Sequence, residues 1–247
     1  VGMKISSDGK KLLYYQNQDI GHVWISDLEG RNPKQVTSDD RFVITPALSP
    51  DGNSIAFSLL TGDALGGVFR LYLINRDGSS RQLITRSNSS ARLPIWSPDG
   101  KRLAFNLAQT GIGEFSKDIG KTFILDIASP DKHVEVGRGI PVRWPDQNEL
   151  ILFDSVRTWR YSFDGSGKKE IVNDSLMAIP LPGNQYLVGS SASPSHEDVW
   201  LIRTDKKKAA RRLFKGTFPR GAFPSNVQVA PNGKFLLYVK SPGELWK

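Results

Sequence analysis

Residues able to do chemistry are few in this chain, and their settings tell against catalysis. Four aspartates recur in similar surroundings: Asp8, Asp51, Asp99 and Asp146. Carboxylates repeated in register invite a general acid–base reading. Three of them, however, stand in S-x-D-G: Ser6–Gly9, Ser49–Gly52 and Ser97–Gly100. In such a turn Pro presets φ at the second position, Asp bonds nearby backbone N–H groups, and Gly closes the turn. These aspartates therefore read as turn residues. No D-x-D-x-D-G calcium loop occurs, and no G-x-S-x-G elbow presents a nucleophilic serine. The three histidines, His22, His133 and His196, are not paired at ligand spacing. His133 reads as a strand residue, His22 as a residue next to Trp24, and only His196, in the stretch 191–198, as a site candidate. Cysteine is absent, which excludes disulfides, thiolate metal sites and cysteine nucleophiles. Gly111-Ile112-Gly113 and Gly137-Arg138-Gly139 lack the strand-to-helix setting of a dinucleotide site. Asn88-Ser89-Ser90 and Asn173-Asp174-Ser175 match the glycosylation tripeptide. The expectation is a chain that is not an enzyme, with no metal and no cofactor.

The elements that hold these residues are read from repetition. The hairpin in LPIWSPDGKRLAFNL, a strand ending at Trp96, a tight turn and a second strand over Leu103–Leu107, is written several times. Copies surround Asp8, Asp51 and Asp99, with weaker ones at Asp146, Gly183 and Asn232. The intervals between these turn positions are 43, 48, 47, 37 and 49 residues, the period of four-stranded propeller blades. After each hairpin comes a strand with one aromatic: Trp24, Tyr72, Phe123, Trp159, Trp200 and Trp246. Large flat side chains at one position per repeat are expected to pack blade on blade. A further turn and a fourth strand follow, in KQVT, RQLIT, HVEV, KEIV and RRLF. No amphipathic helix is visible. The fold expected is all-β, a six-bladed β-propeller of four-stranded antiparallel blades. It forms a single domain over 1–247, with blades at roughly 1–40, 41–88, 89–138, 139–175, 176–222 and 223–247. The last blade is incomplete in this chain, because no fourth strand follows Glu244–Lys247.

The patterns S-P-D-G-x-x-[IL]-A-F, at Ser49–Phe57 and Ser97–Phe105, and the strand–turn–strand stretches Val23–Thr37 and Leu71–Thr85 carry a family resemblance. With them the chain resembles the PD40, or TolB-like, six-bladed propeller family. Gln147 and Asn184 depart from its turn glycine. Members of that family serve as TolB, a periplasmic partner in envelope complexes. They also serve as the gate of prolyl-oligopeptidase-type serine peptidases, and as the extracytoplasmic part of membrane-anchored winged-helix transcriptional regulators. The separate α/β domain that precedes the propeller of TolB is not in this sequence. The resemblance thus implies a non-enzymatic protein- or peptide-binding module, periplasmic or otherwise extracytoplasmic, and possible as the sensory domain of a larger regulator. The alternative is the gating propeller of a serine peptidase, separated from its catalytic domain. A stand-alone sugar or metal-dependent lyase would place clustered His and acidic residues at the centre, against which three dispersed histidines speak.

Formal net charge is +8, from 33 basic and 25 acidic residues. The basic residues are scattered. The densest run, Lys206-Lys207-Lys208 with Arg211-Arg212, falls inside a hairpin, so nucleic acid is not expected as a partner of this domain. No apolar run is long enough to span a membrane. In a four-strand meander the first–second and third–fourth turns emerge on one face, and the other connections on the opposite face. The second set is long here, at 37–45, 60–70, 85–94, 109–118, 190–198 and 216–225. Binding residues concentrate on such loops, and Arg and aromatics anchor interfaces. The candidates are Arg41, Phe42, Arg70, Arg92, Phe115, His196, Phe218, Arg220 and Phe223.

Overall fold

A computed structural model describes residues 2–6, 8–17, 21–27, 32–38, 40–62, 67–109, 119–164, 167–173, 178–181, 185–191, 196–203, 211–219, 227–229, 236–240 and 244–246, with side chains at 4–6, 8–14 and 22–27 and, from 32 on, at the described residues up to Ile171. The described residues form strands and turns, in six antiparallel sheets. The first holds β1 (Gly2–Ile5), β2 (Lys11–Asn17), β3 (Gly21–Asp27) and β4 (Lys34–Gln35). The second holds β5 (Val43–Leu48), β6 (Ser54–Thr61), β7 (Val68–Asn75) and β8 (Gln82–Leu83). The third holds β9 (Ser90–Trp96), β10 (Arg102–Ala108), β11 (Lys121–Asp126) and β12 (Ser129–Arg138). The fourth holds β13 (Ile140–Asp146), β14 (Glu149–Phe153), β15 (Arg157–Ser162) and β16 (Gly167–Asn173). The fifth holds β17 (Ala178–Leu181), β18 (Gln185–Ser191), β19 (His196–Arg203) and β20 (Arg211–Pro219). The sixth, of three strands among the described residues, holds β21 (Val227–Val229), β22 (Leu236–Lys240) and β23 (Glu244–Trp246).

Each sheet is a simple meander in chain order. Its first strand packs on the sheet before it: β5 meets β1, β2 and β3, β9 meets β5, β6 and β7, and β13 meets β9, β10 and β11. First strands also touch one another in sequence, β1 with β5, β5 with β9, β9 with β13 and β13 with β17, and β21 returns to β1. This ring of first strands is the hub of a β-propeller, and it brings the last sheet back to the first.

A single sheet of this size cannot bury both faces, and stacking supplies the missing partner. One core cluster joins Ala47, Ala56, Leu71, Leu73 and Ile84 of the second blade to Ala91, Trp96, Leu103, Phe105 and Leu125 of the third. Another joins Leu13, Val23, Ile25 and Val36 of the first blade to Val43, Ile55, Phe57, Leu59 and Ile74 of the second. Ala104 and Val136 of the third pack with Trp144, Leu150 and Leu152 of the fourth. The third-strand aromatics do two things. Tyr72 stacks on Phe57 of its own sheet, and Phe123 on Phe105, at ring separations of 5.8 and 6.1 Å. Tyr72, Phe123 and Trp159 also lie against the inter-blade clusters. Trp96 ties two blades by donating its indole N–H to the Ala47 carbonyl at 2.9 Å.

The S-x-D-G turns share one hydrogen-bond set. Ser49 and Ser97 donate their hydroxyls to Asp51 and Asp99 Oδ1 at 2.6 Å, and Ser6 to Asp8 Oδ1 at 2.5 Å. The same aspartate oxygens accept from the backbone N–H of Lys10, Asn53 and Lys101 at 3.0–3.1 Å. Gly9, Gly52 and Gly100 close the turns with φ of 68–73°, a region open to glycine. In the fourth blade the turn is shorter: Asp146 pairs with Glu149 across Gln147-Asn148. Threonines just after the fourth strands recur with a purpose. Thr37 and Thr85 accept from the Val23 and Leu71 backbone N–H groups at 2.9 Å, closing the outer strand onto the third.

Candidate binding face

The two ends of the propeller differ. One carries the S-x-D-G turns and the third–fourth turns such as Arg76–Ser80. The other carries the second–third and fourth–first connections, where the sequence placed its candidates. Strands run further toward this second end than the sequence suggests. Arg70 lies in β7, Arg92 in β9, His196 in β19 and Phe218 in β20, each in a strand rather than a loop. Pro46 and Pro94 both lie inside first strands. Thr45 and Leu93, just before them, take positive φ of 50° and 56°, and the pairing register shifts there. The first strands therefore bulge and continue, which is where proline is tolerated in a sheet.

Arg41 and Phe42 remain on the connection between the first and second blades. Arg41 is exposed and donates from Nη1 to the Gly62 carbonyl at 3.4 Å, so it bridges to the second–third connection of the next blade. Phe42 is half-buried. Its carbonyl accepts from the Leu60 N–H at 2.9 Å, which fixes the connection against β6. Arg70 is half-buried, and its Nε donates to Thr61 Oγ1 at 3.0 Å. Thr61 in turn donates to the Val68 carbonyl at 3.0 Å. Arg41, Phe42 and Arg70 thus occupy one sector of the face, on a hydrogen-bonded frame.

Arg92 departs from the expectation of a loop residue at the surface: it is 1% exposed. It lies opposite Asn106 in the β9–β10 register. Asn106 donates from Nδ2 to the carbonyls of Ile119 and Gly139 at 2.7 and 3.0 Å. The Gly139 carbonyl also accepts from Thr122 Oγ1 at 2.7 Å. Arg92 therefore belongs to the buried polar shoulder where the third blade passes into the fourth. Phe115, Arg220 and Phe223, and the lysine run Lys206–Lys208, lie outside the described residues, as do the side chains of His196 and Phe218.

Two charged residues near the hub escaped the sequence reading. Lys4 on β1 and Arg143 on β13 are half-buried on first strands. Desolvation holds Lys4 below the ordinary lysine range, and the Arg143 guanidinium lowers it further. Desolvation also lowers Arg143. Neither had a motif. Only the period-two register of the hub strands singles them out.

The turn aspartates hold the opposite kind of shift. Asp8, Asp51 and Asp99 are lowered, first by the serine hydroxyl and then by the backbone N–H each accepts. Carboxylates held ionised in this way serve the turn rather than proton transfer. His133 is exposed on β12 and meets Phe123 edge-on at 5.2 Å. Among the described residues no group of three or more His, Cys, Asp or Glu is placed to hold a metal ion. No helix among them is long and apolar enough to cross a membrane.

Comparison with known proteins agrees with the fold. Residues 2–117 match the PD40 family, the TolB beta propeller domain. No curated protein sequence matches the chain. Among solved structures, TolB from Acinetobacter baumannii is similar at a TM-score of 0.71 and 18% identity, over 96% of this chain and 60% of that one. The chain thus spans about three fifths of that protein. A candidate TolB from Agrobacterium tumefaciens is similar at a TM-score of 0.70 and 25% identity, over 96% of this chain and 88% of that one. The acylaminoacyl peptidase of Pyrococcus horikoshii is similar at a TM-score of 0.61 and 14% identity, over 100% of this chain and 43% of that one. Over its whole length the chain shares the propeller fold of these structures, as its hairpin repeats lead one to expect.

Proposed function

We propose that this chain, whose residues 2–117 match the TolB beta propeller domain, is a non-enzymatic module that binds a protein or peptide at the face of its long connections. The observation that carries the reading is the sector built by Arg41, Phe42 and Arg70. An exposed arginine beside a half-buried aromatic is the residue pairing that anchors interfaces, and here a hydrogen-bonded frame presents it. Anchors already held in place lose less freedom on binding. By likeness to TolB-type propellers the module works in an extracytoplasmic space, as the interaction or sensory domain of a larger protein. A membrane-anchored transcriptional regulator is one such protein.

A second reading is favoured by one observation. The whole chain superposes on part of an acylaminoacyl peptidase, as a gating propeller would. The coding sequence around the propeller separates the two. A Ser-Asp-His hydrolase downstream supports the gate, and a winged helix with a membrane span upstream supports the regulator.

The face itself is tested by capture from an envelope fraction with immobilised protein. Arg41→Glu with Phe42→Ser is expected to lower recovery of a specific partner about tenfold. Arg76→Glu with Lys101→Glu, on the opposite end, is expected to leave recovery unchanged. Undiminished capture by the first variant, or equal loss in the second, contradicts the assignment.

A further inference from the structure

We propose that the cleft between the outer strands of the second and third blades binds a single free apolar amino acid, its carboxylate on Arg86, its ammonium on Asp131 and its side chain on the apolar floor beside His133.

The cleft follows from strand length and register. In a propeller the fourth strand of each sheet is the outermost. β8 has two residues and β12 has ten, so the second blade leaves the outer part of the third uncovered. After β8 the chain is pinned to β7. Ile84 donates its N–H to the Leu71 carbonyl at 2.8 Å, and Thr85 Oγ1 accepts from the Leu71 N–H at 2.9 Å. On the facing outer strand His133 pairs with Leu125, two residues past the aromatic Phe123. The equivalent position holds Lys168 in the fourth blade and, with the register continued by one pair, Arg81 in the second. Those long cations cover the third-strand ring: Lys168 Nζ lies 4.3 Å from the centre of Trp159, and Arg81 Cζ 4.6 Å from that of Tyr72. His133 is shorter and meets Phe123 and Phe105 edge-on, at 5.2 and 6.0 Å. A cavity of about 180 Å³ remains beside it.

The lining is that of a ligand site: an apolar floor with a few polar groups around it. Ile84, Phe105 and Leu107 form the floor, at the margin of the apolar cluster that joins the two blades. Exposed Arg86, on the chain after β8, and exposed Asp131, on β12, line the same cavity. Among the described residues neither has a hydrogen bond or ion pair, with the other or with any third group. Opposite charges that share a cleft without closing on each other leave room for a group that carries both. A zwitterion is such a group. Its carboxylate takes the guanidinium fork and its ammonium takes the carboxylate, both in charge-assisted bonds. The volume sets the size. Drug-sized ligands fill clefts of roughly 300–1,000 Å³, so this smaller one suits a molecule with one apolar side chain. Burial of that side chain on the floor supplies affinity, and the two charges fix its orientation. Arg41, Phe42 and Arg70 take no part, so this inference stands or falls apart from the binding face.

The test is calorimetric titration of the folded chain with L-leucine and, separately, with L-phenylalanine. Saturable binding of at least one of them is expected. Glycine, which lacks the side chain, leucinamide, which lacks the carboxylate, and N-acetyl-leucine, which lacks the ammonium, are each expected to bind about tenfold more weakly or less. Arg86→Gln and Asp131→Asn alter exposed side chains and are expected to weaken binding about tenfold. Lys132→Gln, beside Asp131 on the strand and outside the lining, is expected to bind as the parent chain does. Absence of saturable binding for both amino acids overturns the proposal. So does glycine, leucinamide or N-acetyl-leucine bound as tightly as the better of the two. An affinity that Arg86→Gln and Asp131→Asn leave unchanged, or that Lys132→Gln lowers equally, overturns it as well.

Discussion

At the scale of single residues, the same side-chain types do different work according to what surrounds them. Asp8, Asp51 and Asp99 are three carboxylates in register, yet each is satisfied by a serine hydroxyl and a backbone N–H within its own turn. Their folded-state pKa values lie below the ordinary 3.8, so ionisation favours the folded form. That contribution is present above the ordinary value and is lost as pH falls through the lower folded values. Acid unfolding followed by circular dichroism is therefore expected to show stability falling below about pH 3.8. Ser97 is the sharper probe. It is fully buried, donates to Asp99 and accepts from the Arg102 N–H at 2.9 Å. Ser97→Ala is expected to cost about 1–3 kcal/mol in denaturant unfolding, with a weaker dependence on acid pH than the parent chain. An Asp99 with catalytic work to do would leave the serine dispensable to the fold, and the variant would then unfold like its parent.

At the scale of elements, the hairpins were legible because turn chemistry and period agreed. S-x-D-G followed by alternating apolar residues names both the turn and the second strand, and the structure has all of these strands. The first strands were harder to read. Pro46, Pro94 and Pro141 suggest loop, since proline cannot donate to a ladder. The sheet accommodates them at bulges, where Thr45 and Leu93 take up positive φ and the register shifts. Arg92, placed on a loop, lies buried in one of these first strands, and Arg70, also placed on a loop, lies in the third strand β7. The hub cations Lys4 and Arg143 were invisible for a related reason. A lone cation in a short strand has no motif, and its equivalent in another blade is known only once the register is. The passage between the third and fourth blades depends on another local device. Gly139, at φ 121°, donates to the Gly120 carbonyl at 3.0 Å and accepts from Asn106 and Thr122. A Cβ there would stand 2.5 Å from the Phe153 carbonyl oxygen, which is backbone and cannot turn aside. Gly139→Ala is expected to cost about 3 kcal/mol or more in equilibrium unfolding. A loss below roughly 0.5 kcal/mol would show that the connection is not fixed as described.

At the scale of the whole molecule, the repeats assign different duties to different zones. Turns on one end are stereotyped and satisfied internally. The blade interfaces hold the apolar clusters and the inter-blade contacts, such as Arg102 over the Trp144 ring at 5.0 Å. The other end carries Arg41 and Phe42 on a connection that the repeat does not dictate, beside Arg70 near the start of β7. Sequence repetition reveals the scaffold because each blade must solve the same packing problem. It is silent about the partner, because binding residues are the ones free to differ between blades. The proposal that this end receives a protein or peptide is tested most directly by hydrogen exchange on the complex captured from the envelope fraction. Added protection is expected at residues 37–43 and 60–62, with the turns at 49–53 and 97–101 exchanging as in the free chain. Protection confined to those turns, or none at the long connections, would contradict the account.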